Sequence, residues 1–236
     1  MFFHIESGRE RQHNFEPLSV RGKAVMIVGG ATEIGRATAS LLAGRGARVF
    51  VTANNSTELR AVLKEVCQLG DEVHGMVVHF DHPEDIRQVF DEAERRLGGI
   101  DILVNHLGDA DICLDAQNCQ DWCTEEGIAH MQARGKGHII NIGLPVSGQA
   151  SAASKIPVTG ASSLPTSITS ALRRQASELG IRMTTIESGV GSGREPAVGE
   201  ASLLPEDIAR CVYDSIIQPF PVDLVLVRGR VQSLKN

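Results

Sequence analysis

The clearest chemistry in the chain lies in Ala24–Arg36, AVMIVGGATEIGR. An apolar run ends in Gly29 and Gly30, and a helical pattern begins at Ile34, with Ala37, Thr38, Leu41 and Leu42 on the same side. A strand, a glycine turn and a helix let backbone N–H groups approach a pyrophosphate, and the helix N-terminus adds about half a positive charge. Glu33 sits at that helix start. Its carboxylate satisfies the helix dipole where a phosphate would otherwise lie. At about 5 Å and an effective dielectric near 20 it repels each phosphate charge by roughly 3 kcal/mol.

A second group of polar residues, Asn54, Asn55 and Ser56, follows the apolar run Ala47–Ala53. In a dinucleotide fold this place holds an acid for the ribose hydroxyls or a base for a 2′-phosphate, and here it holds neither. Asn54 and Asn55 also suit a turn, with Ser56 capping the next helix. His74, His79 and His82 with Asp81, and Cys113, Cys119 and Cys123, form two further clusters. On a strand His79 and Asp81 share a face and His82 opposes them. On a helix Cys119 and Cys123 share a face. Neither spacing is a zinc signature, so we assign no metal and read them as surface or cofactor-rim histidines and small buried residues.

The elements that must position these groups alternate along the chain. Strands are expected at Ala24–Val28, Ala47–Ala53, Glu72–Phe80, Ile100–Asn105, from about His138, Gly180–Glu187 and Val222–Val227. Helices are expected from Ile34 and over Leu59–Leu69, Pro83–Leu97, Thr166–Leu179 and Pro205–Ile217. Such alternation implies an α/β fold with a parallel sheet and right-handed crossovers. Residues 1–19 lack sustained periodicity and read as an N-terminal arm, and residues 20–236 read as one domain. With 236 residues, 42% hydrophobic and 22% charged, the chain is long and apolar enough for one large core. A formal net charge of −6 disfavours a nucleic-acid partner. No apolar run reaches membrane-spanning length, and Met1–Val20 lacks the apolar centre of a signal peptide, so a cytoplasmic protein is expected. The odd count of 5 cysteines suggests reduced thiols.

Val28-Gly29-Gly30-Ala31-Thr32-Glu33-Ile34-Gly35 resembles T-G-x-x-x-G-I-G, the opening of the short-chain dehydrogenase/reductase family, with Val28 for Thr and Glu33 for the middle Gly. Asn105-His106-Leu107-Gly108 resembles the family's N-N-A-G, with Leu107 adding bulk where the family keeps Ala beside the cofactor. GIRMTTIE from Gly180 resembles G-I-R-V-N-x-I-x-P-G. The resemblance covers about Ser19–Gln232, with gaps in the middle. It implies a single Rossmann-like, doubly wound sheet of about seven strands in the order 3-2-1-4-5-6-7, with helices on both faces. It also implies NADP or NAD as cofactor, held by Gly29, Thr32, Ile34, Gly35, Asn54, Asn105 and Gly108. Glu33 argues for weak binding or none. The family's long helix before the fifth strand is expected to be curtailed between Asp109 and Gly135, and Asn118 does not align with the family's relay Asn.

Family members use Ser, Tyr and Lys, the last two in Y-x-x-x-K. Tyr transfers the proton, and Lys lowers the Tyr pKa and grips the ribose. This chain has 1 Tyr, Tyr213, far from the expected place. Ser151-Ala152-Ala153-Ser154-Lys155 resembles the motif with Ser in place of Tyr, which makes Ser151 and Lys155 the catalytic candidates. Counting back from Gly180 instead places the lost Tyr near Val158 or Thr159 and the Lys near Ser162 or Ser163. Three readings follow. One is an oxidoreductase with an altered proton donor. Another is a non-redox enzyme of cyclase or isomerase type, with Asp121, Trp122, Glu125 and Arg134 shaping its pocket. The third is a catalytically silent binding or regulatory protein. The expected partners are a small-molecule substrate or ligand and further copies of the chain, with no nucleic acid and no membrane.

Overall fold

The computed structural model describes residues 18–80, 82–107, 116–143, 170–188 and 203–227. Thirteen elements alternate along them: β1 (Ala24–Val28), α1 (Glu33–Gly44), β2 (Arg48–Ala53), α2 (Ser56–Val66), β3 (Val73–Val77), α3 (Pro83–Leu97), β4 (Ile102–Asn105), α4 (Ala116–Gln132), β5 (Gly137–Gly143), α5 (Ser170–Glu178), β6 (Ile181–Ser188), α6 (Pro205–Ile217) and β7 (Leu224–Val227). The strands form one sheet in the order β3-β2-β1-β4-β5-β6-β7, and every pairing is parallel. The order expected from sequence is therefore the order found. The proposed N-terminal arm lies outside the described residues, apart from its last two.

Two-sided burial explains why β1 reads as an unbroken apolar run. Val25 and Ile27 face the core under α1, α2 and α6, whereas Ala24, Met26 and Val28 face the core under α3, α4 and α5. All five are 0% exposed. The helices show the complementary stripe. On α3, Ile86, Val89, Phe90, Ala93 and Leu97 are buried, Pro83 occupies the first turn, and Gly98 at φ 68° ends the helix.

The helix before β5 is not curtailed. α4 has 17 residues, about 25 Å of helix. Its sequence hid it because the inward side carries Cys119, Gln120, Cys123 and Thr124 as well as Ile128 and Met131, so no apolar stripe stands out. Cys119 is disulfide-bonded, which corrects the expectation of five reduced thiols; Cys67, Cys123 and Cys211 are free. Burial, reinforced by Glu126, pushes the Cys123 thiol well above its ordinary range, so it is inert as a nucleophile. β3 ends at Val77, so His79 lies beyond the strand and is exposed; Asp81 is outside the described residues. Among the described residues no helix is long and apolar enough to cross a membrane.

A buried polar chain fastens the amino ends of β5 and β6 to the C-terminus of α6. Arg182 donates to the Gln218 and Ile216 carbonyls, at 2.7 and 3.1 Å, and to His138 Nδ1 at 2.7 Å. Thr184 donates its hydroxyl proton to the Val222 carbonyl and lies 2.8 Å from His138 Nε2. With that proton committed, Thr184 can only accept from His138, so the ring is neutral with hydrogen on Nε2. Burial, then the Arg182 charge, lowers the His138 pKa from 6.5 to about 3. The unfolded chain therefore takes up a proton between those values that the folded chain refuses. This contribution to stability is complete above pH 6.5 and is lost as pH falls toward 3, at about 1.4 kcal/mol per pH unit. We expect His138→Gln to be less stable than the natural chain at pH 7 but to lose stability less steeply between pH 6 and 4, as read from denaturant melts across that range.

Candidate dinucleotide site

In an open parallel sheet, ligands bind beyond the carboxyl ends of the strands where the strand order reverses. Here that point lies between β1 and β4, and Gly29–Thr32 fill it. Gly29 has φ 74°, the left-handed region, so the chain can leave β1 and turn at once into α1. Its N–H donates to Thr52 Oγ1 at 3.1 Å, and the Gly30 N–H donates to the Thr52 carbonyl at 2.9 Å, which fixes the turn to β2. A Cβ on Gly35 would lie 2.1 Å from the Gly29 carbonyl oxygen, so only glycine lets the first turn of α1 press against the loop.

Thr32 caps α1. Its hydroxyl accepts from the Gly35 N–H at 2.9 Å, donates to the Gly29 carbonyl at 2.8 Å and lies 2.9 Å from His106 Nδ1. A hydroxyl has one proton, so with that proton on Gly29 the His106 ring must donate from Nδ1. His106 is 5% exposed and sits just beyond β4, so it couples the loop after β4 to the glycine turn. The N–H groups of Glu33 and Ile34 head the helix with no hydrogen-bond partner among the described residues and are the donors left for an anion. The Glu33 side chain is exposed and Ile34 is half-buried.

The other proposed cofactor residues are placed less simply. Asn55, not Ser56, caps α2, because its extended backbone (φ −142°) brings Oδ1 to 2.9 Å from the Glu58 N–H; Ser56 is already the first helical residue. Asn55 also donates to Asn54 Oδ1 at 3.0 Å. Asn105 is fully buried and donates to Asn141 Oδ1 at 2.9 Å and Thr124 at 3.4 Å, and Gln120 joins the same cluster beneath α4. Asn105 Oδ1 and Asn141 Nδ2 are left without partners there. Leu107 is 2% exposed and packs into the core under α3 and α4. Gly108, Ser151 and Lys155 lie outside the described residues, as do Val158, Thr159, Ser162 and Ser163.

Three further placements bear on chemistry. Tyr213 accepts from Arg45 Nη1 at 3.0 Å, and the Arg45 guanidinium lies 4.6 Å from the ring centre. Arg45 closes the C-terminus of α1, whose 12 residues span about 18 Å, so the one tyrosine sits at the opposite edge of the sheet from the glycine turn. Arg134 pairs with Asp101 at 2.6 Å, also at the amino edge, and so cannot shape a pocket at the carboxyl edge. Glu187, near the carboxyl end of β6, was not singled out from sequence; partial burial raises its pKa above the ordinary carboxylate range. The one signal for it was an acid at the end of the expected strand Gly180–Glu187. His106 and Asn141 likewise stood in the sequence as polar residues in or after apolar strands.

A family profile described as short chain dehydrogenase matches residues 23–192. A 3-oxoacyl-acyl-carrier-protein reductase from Vibrio cholerae is 30% identical over 192 residues, covering 73% of this chain and 75% of the relative. An uncharacterized oxidoreductase from Staphylococcus aureus is 24% identical over 220 residues, covering 86% of this chain and 94% of that one. Among solved structures, a metagenomic short-chain oxidoreductase in complex with NADP shares the fold, with TM-score 0.72 and 23% identity over 91% of this chain and 100% of that chain. A hydroxysteroid dehydrogenase from Escherichia coli has TM-score 0.66 at 23% identity, over 89% of this chain and 97% of its own. Sheet order, glycine turn and matched span agree, and the chain belongs to the short chain dehydrogenase family.

Proposed function

We propose that this chain binds NADP or NAD between β1 and β4 and is an oxidoreductase-like protein that has lost the phenol acid of its family. The observation that carries the second half is the place of Tyr213, the one tyrosine of the chain, bound to Arg45 at the far edge of the sheet. The first half rests on the cradle: Gly29 in the left-handed region, no room for a Cβ on Gly35, and two N–H groups at the head of α1 with no partner among the described residues. In this reading Gly29, Thr32, Ile34 and Gly35 surround the pyrophosphate, and Asn54, Asn105 and Gly108 border the rest. A bound nicotinamide supplies hydride transfer. In the alignment by local motif Ser151 and Lys155 replace the family's Tyr and Lys, in the alignment counted back from Gly180 both are lost, and a serine hydroxyl is a far weaker acid than a phenol. The same loss favours a second reading, in which the site holds a dinucleotide or small ligand without redox turnover, in a cyclase- or isomerase-type enzyme or a regulatory protein. A cytoplasmic, self-associating protein acting on a small molecule fits either.

Titration of the full chain with NADPH and NADH, followed by cofactor fluorescence, tests the binding. Glu33→Gly is expected to tighten it by at least about tenfold, since even half of the repulsion estimated for its carboxylate exceeds one decade. Equal affinities show that Glu33 points away from the phosphates. Absence of binding by both forms overturns the dinucleotide reading.

A further inference from the structure

A cavity of about 180 Å³ opens at the amino edge of the sheet, where β1, β4, β5 and β6 begin, at the opposite edge from the glycine turn. Its floor is apolar: Ile102 and Ile216 are 4% and 3% exposed, and Leu18 forms a wall. Its other walls carry Lys23, Lys136, Arg182 and Asp101.

The charges there do not cancel. The Asp101 carboxylate is already committed, with Oδ1 taking the Arg134 guanidinium at 2.6 Å and Oδ2 the Ala24 N–H at 2.9 Å. Arg182 is committed to the carbonyls that end α6 and to His138, and these contacts take up three of its N–H donors without supplying a counter-charge. The His138 ring is neutral and adds no charge of its own. Lys23 and Lys136 are exposed; Lys23 acts on the Asp101 carboxylate through space without closing an ion pair, and Lys136 has no ion-pair partner among the described residues. Three cations thus face one acid that Arg134 already neutralises, in a chain whose formal net charge is −6. A cationic rim over an apolar floor suits a ligand with an anionic head and a short apolar body. The volume, about six water-sized groups, is that of a small acid and too little for a nucleotide.

We propose that this cavity binds a short-chain aliphatic carboxylate, its head between Lys23 and Lys136 and its tail on Ile102 and Ile216. The site is independent of the dinucleotide site in position and in residues. Lys23 and Lys136 are carried by the residues just before β1 and β5, whose pairings to β4 fix the separation of the two strands. The carboxylate would supply the counter-ion that Lys23 and Lys136 lack among the described residues, and the tail would lie over Ile102 and Ile216 and remove water from Leu18, the exposed apolar side chain of the wall.

The test is calorimetric titration of the full chain with sodium hexanoate at fixed ionic strength, with 1-hexanol and inorganic phosphate as comparison probes. We expect saturable one-to-one binding of hexanoate that Lys23→Glu and Lys136→Glu each weaken by roughly tenfold or more. Lys23→Gln and Lys136→Gln, which only remove charge, should weaken it less. Hexanol and phosphate should each bind at least about tenfold more weakly than hexanoate, because each lacks one half of the recognition. Melting curves establish that the four variants are folded; any that is not gives way to its partner substitution at the same lysine. No saturable hexanoate binding, binding unchanged in the lysine variants, or phosphate or hexanol binding as tightly as hexanoate overturns the proposal.

Discussion

Ketone reduction by the natural chain, with NADH or NADPH, is expected to run about 10²–10⁴-fold slower than by a variant in which a tyrosine is restored at the correct place. Hydride transfer to a carbonyl makes an alkoxide that must be protonated as it forms, and a positioned acid contributes a factor of that size. The family's acid is a phenol, and the one phenol here is held by Arg45 at the other edge of the sheet. Ser151 cannot replace it as an acid at neutral pH. Lys155 can do so only if burial lowers its pKa toward neutrality. Glu187 is a third candidate, because its raised pKa lets it keep a proton at higher pH than an ordinary carboxyl does. A panel of ketones and alcohols run with the natural chain, Ser151→Tyr, Thr159→Tyr, Lys155→Ala and Glu187→Gln separates these cases. Turnover that appears only on restoring a tyrosine supports loss of the acid, and the position that succeeds settles the two alignments of that region. Brisk turnover by the natural chain, abolished by Lys155→Ala or by Glu187→Gln, overturns the expectation and names the working acid.

Gly35→Ala is expected to cost about 3 kcal/mol of stability and to abolish dinucleotide binding, because the added carbon meets backbone and cannot be relieved by rotating a side chain. The clash is with the Gly29 carbonyl at 2.1 Å, and Gly30 Cα is 2.9 Å away. Relief requires α1 to lift off the loop, which separates the helix N-terminus from the turn that forms the cradle. For a domain of this size a loss of about 3 kcal/mol lowers Tm by roughly 6–12 °C. Gly44→Ala is the internal control. It lies at the other end of the same helix with nothing within 4 Å of its added Cβ, and it is expected to be neutral or to stabilise by up to about 1 kcal/mol. Thermal melts of the two variants should therefore move in opposite directions or differ by most of the Gly35 effect. Equal melts show that the glycine turn is softer than its contacts indicate.

The elements most legible in the sequence were those whose burial is one-sided or complete. α3 and α6 have the bounds their periodicity gives, Pro83–Leu97 and Pro205–Ile217, because a proline starts each and a clean apolar stripe runs through each. β1 and the glycine turn stood out because two-sided burial leaves no polar residue in the strand. α4 was misjudged because Gln120 and Thr124 point inward, toward Asn105 and Asn141, and a polar interior has no periodic signature. Asn55 and Ser56 are both good caps by type, and only the backbone angles distinguish them. Arg134 was set beside the wrong edge because chain position says nothing about which end of a strand a loop occupies. The tie from His106 to Thr32 joins residues 74 apart, so no local pattern could report it. Gly108, Ser151 and Lys155 lie outside the described residues, so for them the sequence reading stands alone.

The sheet order also sets a timetable for the nascent chain. β1 leaves the ribosome with both faces apolar and both hydrogen-bonding edges unpaired, and β2 covers only one edge; the other edge must wait for β4. The first contact across that edge, the Ala24 N–H to the Asp101 carboxylate, joins residues 77 apart. At bacterial to eukaryotic elongation rates, about 5–20 residues per second, β1 is therefore exposed along one edge for roughly 4–15 s. Through that interval Val25, Met26 and Ile27 form an open strand edge of the kind that pairs with other chains. Slowing synthesis between Ala53 and Asp101 should lower the soluble yield of this protein, whereas slowing it after Asn105, once β4 can close the gap, should not.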